Sequence, residues 1–200
     1  HKKYLDGENL TREDVQAIVE DTFYLPYANS KMEQNMLESA KKSVDMYFEK
    51  NKADFKNIEM AEADIELDMG DGVKVNGRID LVKHREISGE EKITIVDFKT
   101  ADRDVTQCLE AEQLKIYALG YQELTGKSAD YLEILNLDKV ESERVRVTEG
   151  LTETVAKDIR NAAQNIRENK LDRKCSKEKC SACYLNYLCL SKEEKKTYVE

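Results

Sequence analysis

Apolar residues recur along the chain with two periods, and the switch between them marks out the elements. Over residues 10–25, Val15, Ile18, Val19 and Phe23 fall on one helical stripe. Thr11 can cap that helix, Glu13 and Asp14 sit favourably in its first turn, and Pro26 ends it. Its many acids make it a packing helix rather than a DNA-contacting one. Residues 31–50 form a stronger helix, with Met32, Met36, Leu37, Ala40, Val44, Tyr47 and Phe48 on one face and Ser30 with Glu33 as a capping box. The period then drops to two. Ile58, Met60, Ala61, Ala63, Ile65, Leu67 and Met69 predict a strand, and Gly70-Asp71-Gly72 a tight turn into a second over 73–82. A third covers 93–100, reached through the polar connection Ser88-Gly89-Glu90-Glu91.

Beyond the third strand, Leu109, Leu114, Ile116, Tyr117, Leu119, Tyr121 and Leu124 predict a helix over 105–125, closed by Gly126. Residues 129–137 and 144–147 read as strands, and 152–168 as an amphipathic helix with Val155, Ile159, Ala162, Ala163 and Ile166. A strand–helix–strand unit of this length makes a parallel pair with a right-handed crossover. The pattern therefore predicts an α/β fold: an antiparallel three-strand meander extended into a mixed central sheet flanked by helices.

Two of the predicted strands end their apolar runs on an acid. Gly77-Arg78-Ile79-Asp80 closes one, and Asp97-Phe98-Lys99 follows Ile93, Ile95 and Val96 in the other. A hairpin brings Asp80 and Asp97 side by side. Asp97 and Lys99 share a face because strand side chains alternate. Two carboxylates can hold Mg²⁺ or Mn²⁺ through oxygen, with the Phe98 carbonyl as a third ligand, while the Lys99 ammonium orients water or neutralises developing charge. The competing reading is a surface hairpin with an ordinary ion pair. On the next helix Gln113 and Tyr117 share a face four residues apart.

Composition narrows the setting. Two hundred residues support one compact domain; 36% are charged and 40% hydrophobic, and the net charge is −9. That charge opposes broad sequence-independent attraction to DNA but leaves room for a local basic groove. No apolar run is long enough to span a membrane and the start lacks a signal-peptide pattern, so the expected location is cytoplasmic. His1 ahead of Lys2 and Lys3 reads as an engineered junction, and the chain as a domain cut from a longer protein.

The second chemical cluster is the tail. Cys175, Cys180, Cys183 and Cys189 are separated by four, two and five residues, while Cys108 stands apart on the helix over 105–125. Thiols clustered in a chain without a secretory signal read as a metal site, zinc or iron–sulfur, with a structural role. Lys170, Arg173, Lys174, Lys177 and Lys179 surround it, either as a DNA contact or as a solvated surface.

Gly77-Arg78-Ile79-Asp80, Asp97-Phe98-Lys99 and Gln113-Leu114-Lys115-Ile116-Tyr117, in that order and followed by the cysteine tail, resemble the core of the PD-(D/E)XK nucleases, nearest the RecB-like branch. The resemblance covers about residues 60–190. It implies a restriction-endonuclease-like core and metal-dependent hydrolysis of DNA, single-stranded or at duplex ends. The expected setting is a helicase–nuclease or a repair and recombination exonuclease with a helicase domain or subunit as partner. Asp80 and Asp97 would be ligands, Lys99 catalytic, and Gln113 and Tyr117 would support it. Cys180, Cys183 and Cys189 would join Cys175 around a [4Fe–4S] cluster, with Zn²⁺ as the alternative. The division implied is 1–55 for helices packed on the core, 56–169 for the nuclease core and 170–200 for the tail, all in one compact domain.

The family's metal-binding histidine has no counterpart in this reading: His1 is set aside as a junction and His84 lies in the hairpin. Glu38, or Gln34 four residues before it, is the substitute weighed, against a solvated face. Glu62 is read as an exposed strand position. The missing histidine favours the alternative of a degenerate nuclease fold that clamps DNA without cutting; a protein-interaction scaffold is the third class.

Overall fold

The computed structural model describes residues 1–100, 112–173, 175–181 and 183–199. The chain falls into two compact units, His1–Arg160 and Asn161–Glu200. Cys108 and the first turns of the helix expected over 105–125 lie outside the described residues.

The first unit begins with helices α1 (Lys2–Leu5), α2 (Arg12–Thr22) and α3 (Ser30–Asn51), followed by a 3₁₀ turn, Lys52–Asn57. Thr11 and Asp14 cap α2 reciprocally. The cap of α3 is Asn29, not Ser30: the Asn29 side chain accepts from Met32 N at 2.9 Å. Asn29 keeps an extended backbone, which puts its short side chain within reach of the free N–H groups of the first turn.

Strands β1 (Ile58–Asp68), β2 (Lys74–Ile87), β3 (Glu90–Lys99), β4 (Tyr131–Asn136) and β5 (Glu141–Arg146) form one sheet in sequential order. β1, β2 and β3 are successively antiparallel; β3 and β4 are parallel across helix α4 (Glu112–Thr125); β5 returns antiparallel to β4. The mixed α/β sheet with flanking helices is as the pattern predicts. β2 runs five residues past its predicted end at Val82. Polar residues Lys83, His84, Arg85 and Glu86 hid that extension, yet Lys83 is only 2% exposed. Burial drives the Lys83 amine downward in pKa, opposed by Glu133 and Asp54.

Each sheet face carries its own core. Ile65, Ile79, Val82 and Ile95 pack with Leu114, Tyr117, Ala118 and Tyr121 of α4. Leu81, Val96 and Leu135 pack on the other face with Tyr47, Phe48 and Phe55. α4 sits close to β1 because Gly120 leaves space for Ile65: an added Cβ would lie 2.6 Å from Ile65 Cδ1 and 2.9 Å from Cγ2. Overpacking of this kind costs about 1–3 kcal/mol, while Gly→Ala in a helix returns up to about 1 kcal/mol. Gly120→Ala is therefore expected to be destabilising by about 1 kcal/mol, and Ile65→Val in the same chain to recover part of it, as read by urea unfolding.

Helix α5 (Leu151–Arg167) leads into the second unit, whose short helices are α6 (Lys177–Ser181), α7 (Asn186–Cys189) and α8 (Lys192–Tyr198). Ser191 and Glu194 cap α8 reciprocally, and Arg173 pairs with Glu194 at 3.0 Å.

Candidate active site

The last matched rung between β2 and β3 is Leu81 with Val96, and Asp80 and Asp97 are the next residues on the two strands, near enough for the Asp80 charge to act on Asp97. Phe98 N donates to Asp80 Oδ2 at 2.9 Å, tying the first acid to the strand that carries the second. Asp97 is 2% exposed. Burial raises its pKa, the Lys99 hydrogen bond and charge oppose that, and the Asp80 charge adds to it. Lys99 Nζ lies 2.7 Å from Asp97 Oδ2, and Nζ also donates to Gln113 Oε1 at 3.2 Å. Gln113 Nε2 in turn donates to the Tyr117 hydroxyl at 2.6 Å. Asp97, Lys99, Gln113 and Tyr117 thus form one connected polar chain from the sheet onto α4, and Asp80 is tied to the same strand through the Phe98 backbone. The Asp97–Lys99 ion pair of the surface-hairpin alternative is present, but Asp97 is buried where that alternative expects it exposed.

Does this set suit a divalent cation? The Lys99–Asp97 contact has ion-pair distance, but no well-aligned hydrogen bond reaches Asp97 Oδ2. A buried carboxylate paired with a single half-exposed ammonium keeps lone pairs that a cation can use. Among the described residues no three His, Cys, Asp or Glu side chains converge closely enough to hold a metal alone. Mg²⁺ commonly takes one or two carboxylates and completes its shell with water and substrate phosphate, so two acids are adequate.

A family model of the PD-(D/E)XK nuclease superfamily matches residues 2–190. The chain belongs to the PD-(D/E)XK nuclease superfamily. The crystal structure of SSO0001 is 14% identical at a TM-score of 0.44, covering 89% of this chain and 93% of that one. No curated protein sequence matches.

In this member of the superfamily, His1 is better placed than its position in the sequence indicated. Its ring is 5.6 Å from that of Phe98 and nearly parallel at 13°, and its Nε2 is 2.9 Å from the Tyr47 hydroxyl. It shares a cavity wall with Asp80 and Glu62. A residue at position one carries no flanking pattern, so only the fold reveals the neighbourhood. Glu62 is exposed as expected, yet its backbone is left-handed in mid-strand, at φ 49°. Gln34 Nε2 donates to Glu38 Oε1 at 3.1 Å on the exposed side of α3, and neither residue lines that cavity. His84 is committed elsewhere: its Nε2 is 2.8 Å from Glu59 Oε2, which also accepts from Tyr121.

In the tail, Cys180 is buried, Cys175 half-buried, and Cys183 and Cys189 exposed. Burial raises the Cys175 thiol pKa, and the hydrogen bond and charge of Cys180 add to it. The described residues do not gather three His, Cys, Asp or Glu side chains into one metal-holding group.

Proposed function

We propose that the chain is a metal-dependent nuclease domain that hydrolyses phosphodiester bonds of DNA. The observation that carries this reading is the connected set Asp97–Lys99–Gln113–Tyr117, with Asp80 tied to the same strand. Asp80 and Asp97 would hold Mg²⁺ or Mn²⁺, which supplies Lewis-acid stabilisation of charge at the scissile phosphate. Water would attack phosphorus and release a proton to solvent as the new P–O bond forms, and the sugar oxygen would leave with the electron pair of the broken P–O bond and take a proton from solvent. Lys99 Nζ sits where it can hold the attacking water or the non-bridging oxygen. Gln113 and Tyr117 act through Lys99: the Gln113 carbonyl fixes the ammonium, and the tyrosine hydroxyl accepts from its amide. They are positioning residues.

His1 is the residue in this chain that supports the role left open for the family histidine, being beside Phe98 and Asp80. The ordered motifs support a RecB-like nuclease, working within a helicase–nuclease or as a repair enzyme. No described helix is long and apolar enough to cross a membrane. A titration of Mg²⁺ and Mn²⁺ against end-labelled single-stranded DNA tests the reading. Cleavage is expected with either ion and none in chelator. Tight binding without cleavage under both ions identifies a clamp, and neither binding nor cleavage leaves the scaffold reading.

The clustering of Cys175, Cys180, Cys183 and Cys189 within fifteen residues of sequence favours a second, independent proposal, a metal on the tail. Protein purified without oxygen is expected to carry either iron with visible absorbance or one zinc per chain; metal-free protein with four titratable tail thiols refutes it.

A further inference from the structure

Ile65 of β1 stands directly across the ladder from Gly77 of β2. Its side chain lies over that glycine and reaches into the notch at Gly120 of α4. Ile65 Cδ1 is 3.3 Å from where a Cβ on Gly77 would sit and 2.6 Å from where one on Gly120 would. The Tyr117 ring, one turn before Gly120, comes down on the same spot, with its Cε1 3.6 Å from the Gly77 position. Both Ile65 and Tyr117 are buried. The Gly77 backbone is not left-handed, so conformational freedom does not explain the residue. Mid-strand positions favour β-branched side chains, and a glycine there marks a close approach by another group. Here those groups are Ile65 and Tyr117.

We propose that Gly77 is a positioning residue: by leaving its face of β2 bare, it sets the height of the Tyr117 ring and, through that ring, the place of the Lys99 ammonium. The proposal rests on the reading of Lys99 as the amine at the scissile phosphate. The route is short. Gln113 Nε2 donates to the Tyr117 hydroxyl at 2.6 Å, and Gln113 Oε1 accepts from Lys99 Nζ at 3.2 Å. The tyrosine ring is rigid, so whatever lifts its edge also moves its hydroxyl. One amide group spans from that hydroxyl to the ammonium, so a displaced hydroxyl turns or frees the amide. Lys99 is then left to its ion pair with Asp97, at 2.7 Å, without the second contact that fixes its direction.

The distances set a graded response. An alanine Cβ meets Tyr117 at ordinary van der Waals separation and asks Ile65 to give by a few tenths of an ångström. Valine adds two γ carbons above a point that Ile65 and Tyr117 already fill. Shortening Ile65 to valine relieves the first obstruction and leaves the second. Stability and position therefore separate: the Ile65 contact carries mainly the former, the Tyr117 contact the latter. Asp80 lies three residues further along β2, and its hold on the metal does not pass through the Tyr117 ring.

The test uses the full chain and two independent readouts: cleavage of end-labelled DNA, and the side-chain amide resonances of Gln113 in a nitrogen–proton spectrum recorded without metal. Gly77→Val is expected to lower kcat by about 10²-fold, the cost of a misplacement of about 1 Å, with KM and the Mg²⁺-induced rise in melting temperature unchanged. Gly77→Ala, the milder variant if the valine does not fold, is expected to fall between it and wild type. Adding Ile65→Val to Gly77→Val is expected to recover melting temperature but not kcat. Tyr117→Phe removes the hydroxyl and lowers kcat by itself, and Gly77→Val in that background is expected to lower it no further. The Gln113 amide is expected to shift in both Gly77→Val and Tyr117→Phe. Additive losses of kcat, recovery of kcat by Ile65→Val, or an unmoved Gln113 amide overturns the proposal. A loss of the Mg²⁺ response together with kcat also overturns it, by placing the effect at Asp80. A shifted Gln113 amide in a chain whose wild type cuts no DNA keeps the positioning of Lys99 and removes the nuclease.

Discussion

Asp97→Asn is expected to lower metal-dependent DNA cleavage by about 10²–10³-fold while making the metal-free protein more stable at neutral pH. Asp97 is 2% exposed, and burial outweighs the Lys99 ammonium 2.7 Å from its Oδ2, so its charge is held against burial. Removing that charge is worth about 1–3 kcal/mol. At this chain length each kcal/mol moves the melting temperature by about 2–4 °C. The sign of the pH dependence is fixed by the direction of the shift. Burial raises the folded-state pKa of Asp97 above its ordinary value of 3.8, so the folded protein binds the proton more tightly than the unfolded chain. The associated stability is complete below that ordinary value and is lost as pH rises through the raised one. The stability gap between Asp97→Asn and wild type should therefore be widest at neutral pH and close in acid. Added Mg²⁺ should raise the melting temperature of the wild type and leave the variant unmoved. If calorimetry finds the variant less stable at neutral pH, the strained-carboxylate account is wrong. Lys99→Ala is expected to match the loss of cleavage without losing the Mg²⁺ stabilisation, because the ammonium is not a ligand.

The largest stability effect should lie away from the acids, on the other face of the sheet. Arg85 makes two hydrogen bonds to Glu133, at 2.7 and 2.9 Å, and the Glu133 side chain is 2% exposed. Lys83 pairs nearby with Asp54 at 3.3 Å. Arg85→Ala would leave Glu133 charged, buried and without its partner, a change that costs about 3–5 kcal/mol. That corresponds to a fall of about 6–20 °C in melting temperature. The double variant Arg85→Met with Glu133→Met removes both charges and keeps apolar volume, so it should recover most of the loss. An Arg85→Ala melting temperature within two or three degrees of wild type would show that Lys83 or solvent compensates. Cleavage should follow folding in this series, with the per-molecule rate of folded protein unchanged.

How far the sequence reaches differs between the two halves of the site. Alternation along β1–β3 and the polar turn at Ser88-Gly89 predict the hairpin, and its register ends at Leu81 with Val96, one residue short of Asp80 and Asp97. The spacing of Gln113 and Tyr117 predicts their shared helix face, realised as a 2.6 Å hydrogen bond. These are local regularities, two residues per strand repeat and 3.6 per helix turn, which nearby residues impose on each other. The family motifs were readable for the same reason, since each sits within one element.

What joins distant elements could not be read that way. Only the packing of α4 across the sheet directs Gln113 to Lys99, and only the docking of α1–α3 sets the ring of His1 along Phe98 and encloses the cavity beside Asp80. The continuation of β2 through Lys83 and Arg85 was hidden because its charges are satisfied by Asp54 and Glu133, which lie 29 and 48 residues away in sequence. Periodicity records which side of an element is apolar; it does not record which partner that side will meet. Burial and pairing between remote residues are properties of the folded whole, and those decided where the charges, the histidine and the cavity came together.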